Sequence, residues 1–134
     1  MIGDGDGFHH IGVACADLTT QERAYAALGY SREGKEFDDP QLGVRGMFLY
    51  GNGPRLEILV DRPGARVISP WLEKGVSMYH LAFEVANLAD AIARAQADGA
   101  KLIVGPLPAV AFAGRSVAFV MLRNMALMEL IASA

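Results

Sequence analysis

Residues 8–14 read Phe-His-His-Ile-Gly-Val-Ala, and residues 78–84 read Met-Tyr-His-Leu-Ala-Phe-Glu. Each segment is short, apolar and partly β-branched, as a β-strand is, and each carries a histidine near its start. His10 aligns with His80 at an offset of 70 residues, and that offset holds without a gap to a matched glycine 19 residues further on. The chain is therefore predicted to contain an internal duplication.

Each copy also ends on a matching segment with a glutamate at its centre. Residues 55–59 read Arg-Leu-Glu-Ile-Leu and residues 127–131 read Leu-Met-Glu-Leu-Ile, so Glu57 matches Glu129 at an offset of 72 residues. Imidazole nitrogens and carboxylate oxygens are common ligands of divalent metal ions. Two histidines and two glutamates at equivalent points of a duplicated unit predict a metal site on a pseudo-twofold axis.

Between these segments, each copy reads as a strand, a helix and three strands. In the first copy a helix is predicted from Asp17 to Leu28, with Thr19 or Thr20 at its N-cap. In the second copy Asn87 is the predicted N-cap of an Ala-rich amphipathic helix that reaches Asp98. The remaining strands are predicted at 30–37, 44–50 and 55–60 in the first copy and at 101–104, 117–122 and 126–132 in the second.

This order predicts an α+β fold of two tandem βαβββ modules in a single domain of residues 1–134. Module one spans about 8–62, a linker spans 63–76 with a short helical turn near 69–73, and module two spans about 77–132. The sheet of one module is too small to close on itself. We therefore expect the modules to form one curved, cup-like mixed sheet, with the helices on its outer face.

The alternation of side chains along a strand predicts which residues face the cup. If Glu57 points inward, Arg55 does so as well, whereas Leu56 packs beneath the helices. His10 and His80 have the same inward parity, and small residues beside them leave room for a ligand.

Composition excludes several classes of function. A chain of 134 residues with 52% apolar and 20% charged residues is an ordinary globular domain. A net charge of −3 gives no basic face for nucleic acid, and no apolar run has the length of a membrane span. The N-terminal segment lacks a signal-peptide pattern, and the single Cys15 suits a reducing compartment. We expect a cytoplasmic protein that binds neither nucleic acid nor membranes.

The ordered set of motifs resembles the vicinal oxygen chelate superfamily from about Phe8 to Ile131. The motifs are His-Ile-Gly-Val-Ala and His-Leu-Ala-Phe-Glu-Val at the start of the copies, and Leu-Glu-Ile-Leu and Met-Glu-Leu-Ile at their ends. That superfamily includes glyoxalase I, methylmalonyl-CoA epimerase, extradiol dioxygenases and the fosfomycin and bleomycin resistance proteins. The stretch Ser-Pro-Trp-Leu-Glu-Lys-Gly at 69–75 resembles the linker of the epimerases.

By position, the resemblance implies His10, Glu57, His80 and Glu129 as ligands of one divalent ion. Two imidazoles and two carboxylates suit Zn, Ni, Co or Mn. Such an ion stabilises the anion that forms when the proton α to a carbonyl is removed. Glu57 and Glu129 are the candidate catalytic residues, because they would flank that anion as an acid–base pair.

The resemblance implies a metal-dependent epimerase or isomerase acting on a small molecule, with an acyl thioester as the favoured substrate. The candidate substrate-binding residues are Arg115, Phe119 and Met47. A further acidic residue that some epimerases carry would fall at about Gly46, so that residue type is missing here. The family also leads us to expect a homodimer.

Two alternatives remain open. One is a lactoylglutathione lyase similar to glyoxalase I, although no set of basic residues matches its glutathione-binding arginines. The other is a non-catalytic protein that binds a small molecule, like the bleomycin resistance proteins, which typically lack the ligand set. A dioxygenase is less favoured, because those enzymes typically use two histidines and one glutamate.

Overall fold

The computed structural model describes residues 6–134, and residues 1–5, which belong to the segment predicted to lack a signal peptide, lie outside the described residues. The β-strands are β1 (Gly7–Ala14), β2 (Ser31–Asp39), β3 (Val44–Tyr50), β4 (Leu56–Asp61), β5 (Met78–Val85), β6 (Lys101–Pro108), β7 (Ser116–Met121) and β8 (Leu127–Ala132). The α-helices are α1 (Leu18–Ala26), α2 (Ser69–Glu73) and α3 (Leu88–Ala97), and a 3-10 turn covers Val110–Phe112.

Contacts within the chain distinguish two compact units. The first is His10–Tyr79, and the second is His80–Ala134 together with the described residues before His10. In the first unit β1 is parallel to β4, and β3 is antiparallel to both β4 and β2. The second unit repeats this arrangement with β5 parallel to β8, and with β7 antiparallel to β8 and β6.

The strand order is β2-β3-β4-β1 in the first unit and β5-β8-β7-β6 in the second, and both orders mix parallel and antiparallel pairs. The predicted α+β fold of two βαβββ modules is therefore confirmed. The single domain and the module boundaries near residues 62 and 77 stay predictions.

The core of the first unit lies between α1 and the sheet face opposite Glu57. Leu56 and Ile58, the neighbours of Glu57 on β4, are both buried there, as strand alternation predicts. The buried members of this cluster are Val13, Cys15, Leu18, Met47, Leu49, Leu56, Ile58 and Val60.

The second unit has an equivalent core beneath α3. This helix buries three residues along one face, whereas α1 buries only Leu18. The cluster consists of Val85, Ala91, Ile92, Ala95, Ala118, Val120, Met128 and Leu130. In both units, burying one sheet face under a helix leaves the face with the histidine and glutamate available for other chemistry.

The N-cap of the first helix lies two or three residues before the predicted ones. Asp17, not Thr19 or Thr20, is the N-cap: its carboxylate accepts the Thr20 N–H at 2.8 Å and the Thr20 hydroxyl at 2.6 Å. An aspartate carboxylate is a strong capping acceptor, and the threonine becomes its donor. The helix ends at Ala26 rather than Leu28.

Other predicted elements match the structure. Asn87 caps α3 by accepting the Asp90 N–H at 2.9 Å, and the linker contains α2 at Ser69–Glu73. The strand predicted at 101–104 extends to Pro108, because Gly105 and Pro106 lie within an edge strand, where proline is tolerated. None of the helices in the described part of the chain has the length and apolar character of a membrane-spanning segment.

Candidate metal centre

A buried histidine and glutamate form a pair in the first unit. His10 lies on β1 and Glu57 on β4, and their exposed fractions are 0% and 5%. The parallel register places Gly12 beside Glu57, so the two side chains meet diagonally on one sheet face. His10 Nε2 lies 3.1 Å from Glu57 Oε1.

The second unit contains the same pair in the same register. His80 lies on β5 and Glu129 on β8, with Ala82 beside Glu129 in place of Gly12. His80 Nε2 lies 3.2 Å from Glu129 Oε1, and both side chains are buried. The duplication in the sequence is therefore a duplication of a His–Glu pair.

These four residues, His10, Glu57, His80 and Glu129, could hold a metal ion. All four are buried, and each pair offers an imidazole nitrogen and a carboxylate oxygen, which divalent ions take as ligands. Burial of two carboxylates is costly without a compensating positive charge, and a divalent cation would supply it.

An aromatic ring contacts each histidine edge-on. Phe48 meets His10 with ring centroids 5.4 Å apart, and Phe119 meets His80 at 5.2 Å. Across the strands, Phe48 is paired with Glu57 and Phe119 with Glu129. Phe119, a predicted substrate-binding residue, thus lies beside a candidate ligand, and Phe48 is its equivalent in the other unit.

The sequence pattern predicts Met47, not Phe48, as a substrate-binding residue. Met47 pairs with Ile58, has an exposed fraction of 1% and belongs to the core under α1, on the sheet face opposite Glu57. Met47 therefore does not face the His–Glu pair, and its assignment to substrate binding is corrected. It lines instead a separate cavity of about 410 Å³ near the start of α1.

Arg115 immediately precedes β7 and has the same strand parity as Phe119. Its guanidinium already forms an ion pair. Its Nη1 donates to Glu84 Oε2 at 2.8 Å and to the carbonyl oxygen of Ala132 at 3.1 Å. The guanidinium also lies 5.8 Å from the ring centroid of Phe112. A substrate anion at Arg115 would have to share the guanidinium with Glu84, so its role in substrate binding stays a prediction.

Two further residues from the sequence analysis have clear positions. Cys15 is buried in the core under α1, and burial raises the pKa of its thiol to about 11, so it is no source of thiolate for a metal.

Gly46 faces Leu59 and Phe37, and a Cβ there would lie 2.5 Å from the carbonyl oxygen of Ile58. The missing acidic side chain at this position therefore has a steric reason.

A family model places the chain among known proteins. Residues 9–119 match the model of the Glyoxalase/Bleomycin resistance protein/Dioxygenase superfamily. The chain belongs to this superfamily. The resemblance to the vicinal oxygen chelate proteins is thereby confirmed, and the matched residues include three of the four candidate ligands.

Solved structures of this glyoxalase superfamily fold extend over almost the whole chain. The hypothetical protein BH1468 from Bacillus halodurans C-125 is 24% identical with a TM-score of 0.83, covering 98% of this chain and 96% of that one. Methylmalonyl-CoA epimerase from Mycobacterium tuberculosis is 24% identical with a TM-score of 0.79, covering 96% and 88%.

A variant of Streptomyces coelicolor methylmalonyl-CoA epimerase in complex with 2-nitronate-propionyl-CoA is 23% identical, with a TM-score of 0.73 and coverage of 96% and 97%. At these identities the likeness shows the fold. No curated protein is significantly similar in sequence.

Proposed function

We propose that this glyoxalase superfamily protein is a metal-dependent epimerase or isomerase that removes and returns the proton α to a carbonyl, with an acyl thioester as substrate. The observation that carries the proposal is the buried set of two histidines and two glutamates. The fold shared with methylmalonyl-CoA epimerases supports it, since one of these was solved in complex with methylmalonyl-CoA.

In this proposal His10, Glu57, His80 and Glu129 hold one divalent ion, namely Zn, Ni, Co or Mn. When bound, the ion supplies Lewis-acid stabilisation for negative charge that develops on the carbonyl oxygen of the substrate. The edge-on rings of Phe48 and Phe119 restrict the rotation of the two imidazoles.

Glu57 and Glu129 are proposed as the acid–base pair. Each is buried, with exposed fractions of 5% and 2%, and would exchange its proton with solvent between turnovers, when no substrate covers the site. One carboxylate removes the α-proton from one side of the substrate and the other returns a proton from the other side. This arrangement inverts the configuration at the α-carbon.

The test combines metal analysis with hydrogen exchange. The purified protein should contain about one equivalent of divalent metal, and it should catalyse solvent deuterium incorporation at the α-carbon of methylmalonyl-CoA. Glu129→Gln should abolish the incorporation. A protein with substoichiometric metal whose activity is unchanged by Glu129→Gln would contradict the proposal.

A lactoylglutathione lyase activity like that of glyoxalase I is the second candidate. The observation that favours it is the completeness of the ligand set, which the resemblance implies for both enzyme types. Turnover of a glutathione hemithioacetal without exchange into acyl thioesters would support this alternative. Stoichiometric small-molecule binding without metal or turnover would instead support the resistance-protein alternative.

The homodimer and the cytoplasmic location also remain proposals. Light scattering of the purified protein tests the first, since a dimer would have twice the mass of the 14.3 kDa chain. Fractionation of cells that express the protein tests the second.

A further inference from the structure

Two aromatic rings lie beside the His–Glu pair of the first unit. Phe48 is paired across the strands with Glu57 and meets the His10 ring edge-on, with ring centroids 5.4 Å apart. Phe48 also meets Phe37 of β2, with ring centroids 5.8 Å apart and ring planes inclined by 39°. Both phenylalanines are only partly buried, whereas His10 and Glu57 are buried. Phe37 and Phe48, which we call the aromatic wall, therefore keep apolar surface accessible next to the candidate ligands.

Gly46 is the residue that lets Phe37 reach this position. A Cβ at Gly46 would lie 3.0 Å from Phe37 Cζ and 2.7 Å from Leu59 Cδ2, so these two side chains cover the space above the glycine. The pairing of β2 with β3 shifts register between Glu33 and Phe37, and such irregularities redirect side chains. An aromatic ring thus occupies the space that an acidic side chain at position 46 would need.

The second unit has aliphatic residues at the equivalent points. Val117 stands two residues before Phe119, as Gly46 stands two residues before Phe48. The partner of Val117 on β6 is Leu107, which therefore takes the place of Phe37. The aromatic wall distinguishes the first unit from the second, although both units have the same His–Glu pair.

The charged groups on this part of β2 and β4 are already paired with each other. The backbone of Glu33 is paired with that of Phe48, and the Glu33 carboxylate accepts a hydrogen bond from Arg55 Nε at 2.7 Å. Their opposite charges compensate within the chain. The wall therefore offers a ligand apolar ring surface rather than an uncompensated charge.

We infer that the aromatic wall selects acyl groups that carry an aryl ring close to the reacting α-carbon. This inference rests on the proposed function and names a substrate class for it. Aromatic rings attract each other in offset or edge-to-face arrangements with centroids about 4.5–7 Å apart, and such pairs are more favourable than their buried area alone predicts. Because the planes of Phe37 and Phe48 are inclined, a third ring can lie along one of them and present its edge to the other.

The experiment compares two ligands with the same carbon skeleton, the N-acetylcysteamine thioesters of phenylacetate and cyclohexylacetate. Calorimetry measures their affinities for the whole protein with and without added Zn²⁺. The wild type should bind the aryl thioester about threefold or more tightly than the saturated one. Phe37→Leu, which copies Leu107, should lower this ratio of affinities about threefold or more, because the saturated ring loses no aromatic contact. Phe48→Leu should lower the ratio as well and tests the wall independently of Phe37.

Tyr25→Leu is the matched control. Tyr25 lies on α1 and forms an edge-on pair with Tyr30, with ring centroids 5.7 Å apart. Both tyrosines pack against the core under α1, on the sheet face opposite Glu57. The control removes one ring of an aromatic pair from the same unit and should keep the wild-type ratio of affinities. Thermal unfolding of each variant establishes that it is folded.

The inference is overturned if the wild type binds neither thioester, if Phe37→Leu and Phe48→Leu keep the wild-type ratio, or if Tyr25→Leu lowers it as much as they do. A protein that binds no metal contradicts the proposed function, and the titration without Zn²⁺ still tests the aromatic wall in that case. The two failures are therefore distinguishable.

Discussion

The position of Gly46 shows how one residue limits the chemistry of the site. A Cβ at Gly46 would meet the Ile58 carbonyl oxygen at 2.5 Å and the Leu59 Cδ2 atom at 2.7 Å. Backbone cannot move aside as the end of a flexible side chain can. Gly46→Ala should therefore lower the free energy of unfolding by about 1–3 kcal/mol, as overpacked substitutions do. Urea unfolding provides the measurement.

Gly7→Ala is the control for this substitution, since a Cβ at Gly7 has no heavy atom within 4 Å. It should change the unfolding free energy by less than about 0.5 kcal/mol. If the two substitutions changed the free energy of unfolding equally, the structure around Gly46 would accommodate the added Cβ without loss of stability.

Cys15 gives the stability of the protein a predictable dependence on alkaline pH. Burial raises its pKa from 9.0 to about 11, so the folded state binds the thiol proton more tightly than the unfolded state does. The resulting stabilisation is complete below pH 9 and is lost as the pH rises toward 11. Cys15→Ala should remove this decline, which amounts to about 3 kcal/mol at most. A wild type and variant with parallel stability curves from neutral to alkaline pH would contradict the assignment.

At the scale of secondary structure, sequence periodicity located the elements, and hydrogen bonding and strand pairing set their details. The β3 strand was predicted with its observed limits, 44–50, because a short apolar segment ends at a glycine-rich turn. The same turn could have identified Phe48: folding the hairpin about Gly51–Gly53 brings Phe48, not Met47, opposite Glu57. The pattern of β3 alone does not distinguish these two residues, because the choice depends on the pairing of β3 with β4.

The ends of β6 and α1 could not be predicted from local pattern alone. Gly105 and Pro106 normally indicate the end of a strand, and only the edge position of β6 lets the strand continue through them. At α1, Asp17 and two threonines are all acceptable capping residues. The backbone conformation selects Asp17, because its side chain accepts the Thr20 N–H.

The connection between β4 and α2 depends on one carboxylate. Asp61 accepts the N–H groups of Val67, Ile68 and Ser69 at 2.7–2.9 Å, and the Ser69 hydroxyl as well. Burial tends to raise the pKa of Asp61, but these hydrogen bonds outweigh burial and lower it. Asp61→Ala should reduce the free energy of unfolding by about 1–3 kcal/mol at neutral pH, because three backbone donors lose their acceptor.

The pH dependence of this effect follows from the lowered pKa. The stabilisation by Asp61 is present above the pKa of an unfolded-state aspartate and is lost as the pH falls through the lower folded-state value. The difference between wild type and Asp61→Ala in urea unfolding should therefore shrink in acid. A difference that grows as the pH falls would contradict this account.

At the scale of the whole molecule, the duplication explains why the candidate ligands could be found from the sequence. Both His–Glu pairs come from the same strand pairing, in which the residue two positions after the histidine lies beside the glutamate. The offsets of 70 and 72 residues between the copies preserve that register even though the loops differ.

If the four buried residues bind one ion, both units must lose metal-dependent stabilisation when either glutamate is changed. A ligand that binds only the folded state adds about 2.7 kcal/mol when present at 100 times its dissociation constant. Glu57→Gln and Glu129→Gln keep the shape of the side chain and remove the charge that a divalent ion requires. Each should reduce the stabilisation by Zn²⁺, measured as the rise in unfolding free energy, to below about 1 kcal/mol. Glu36→Gln is the matched control. Glu36 forms an exposed ion pair with Arg45, which lies 9 residues further along the chain. This variant should respond to Zn²⁺ as the wild type does. Loss of the response in only one of the two glutamate variants would show that the pairs act separately, and a common site would then be excluded.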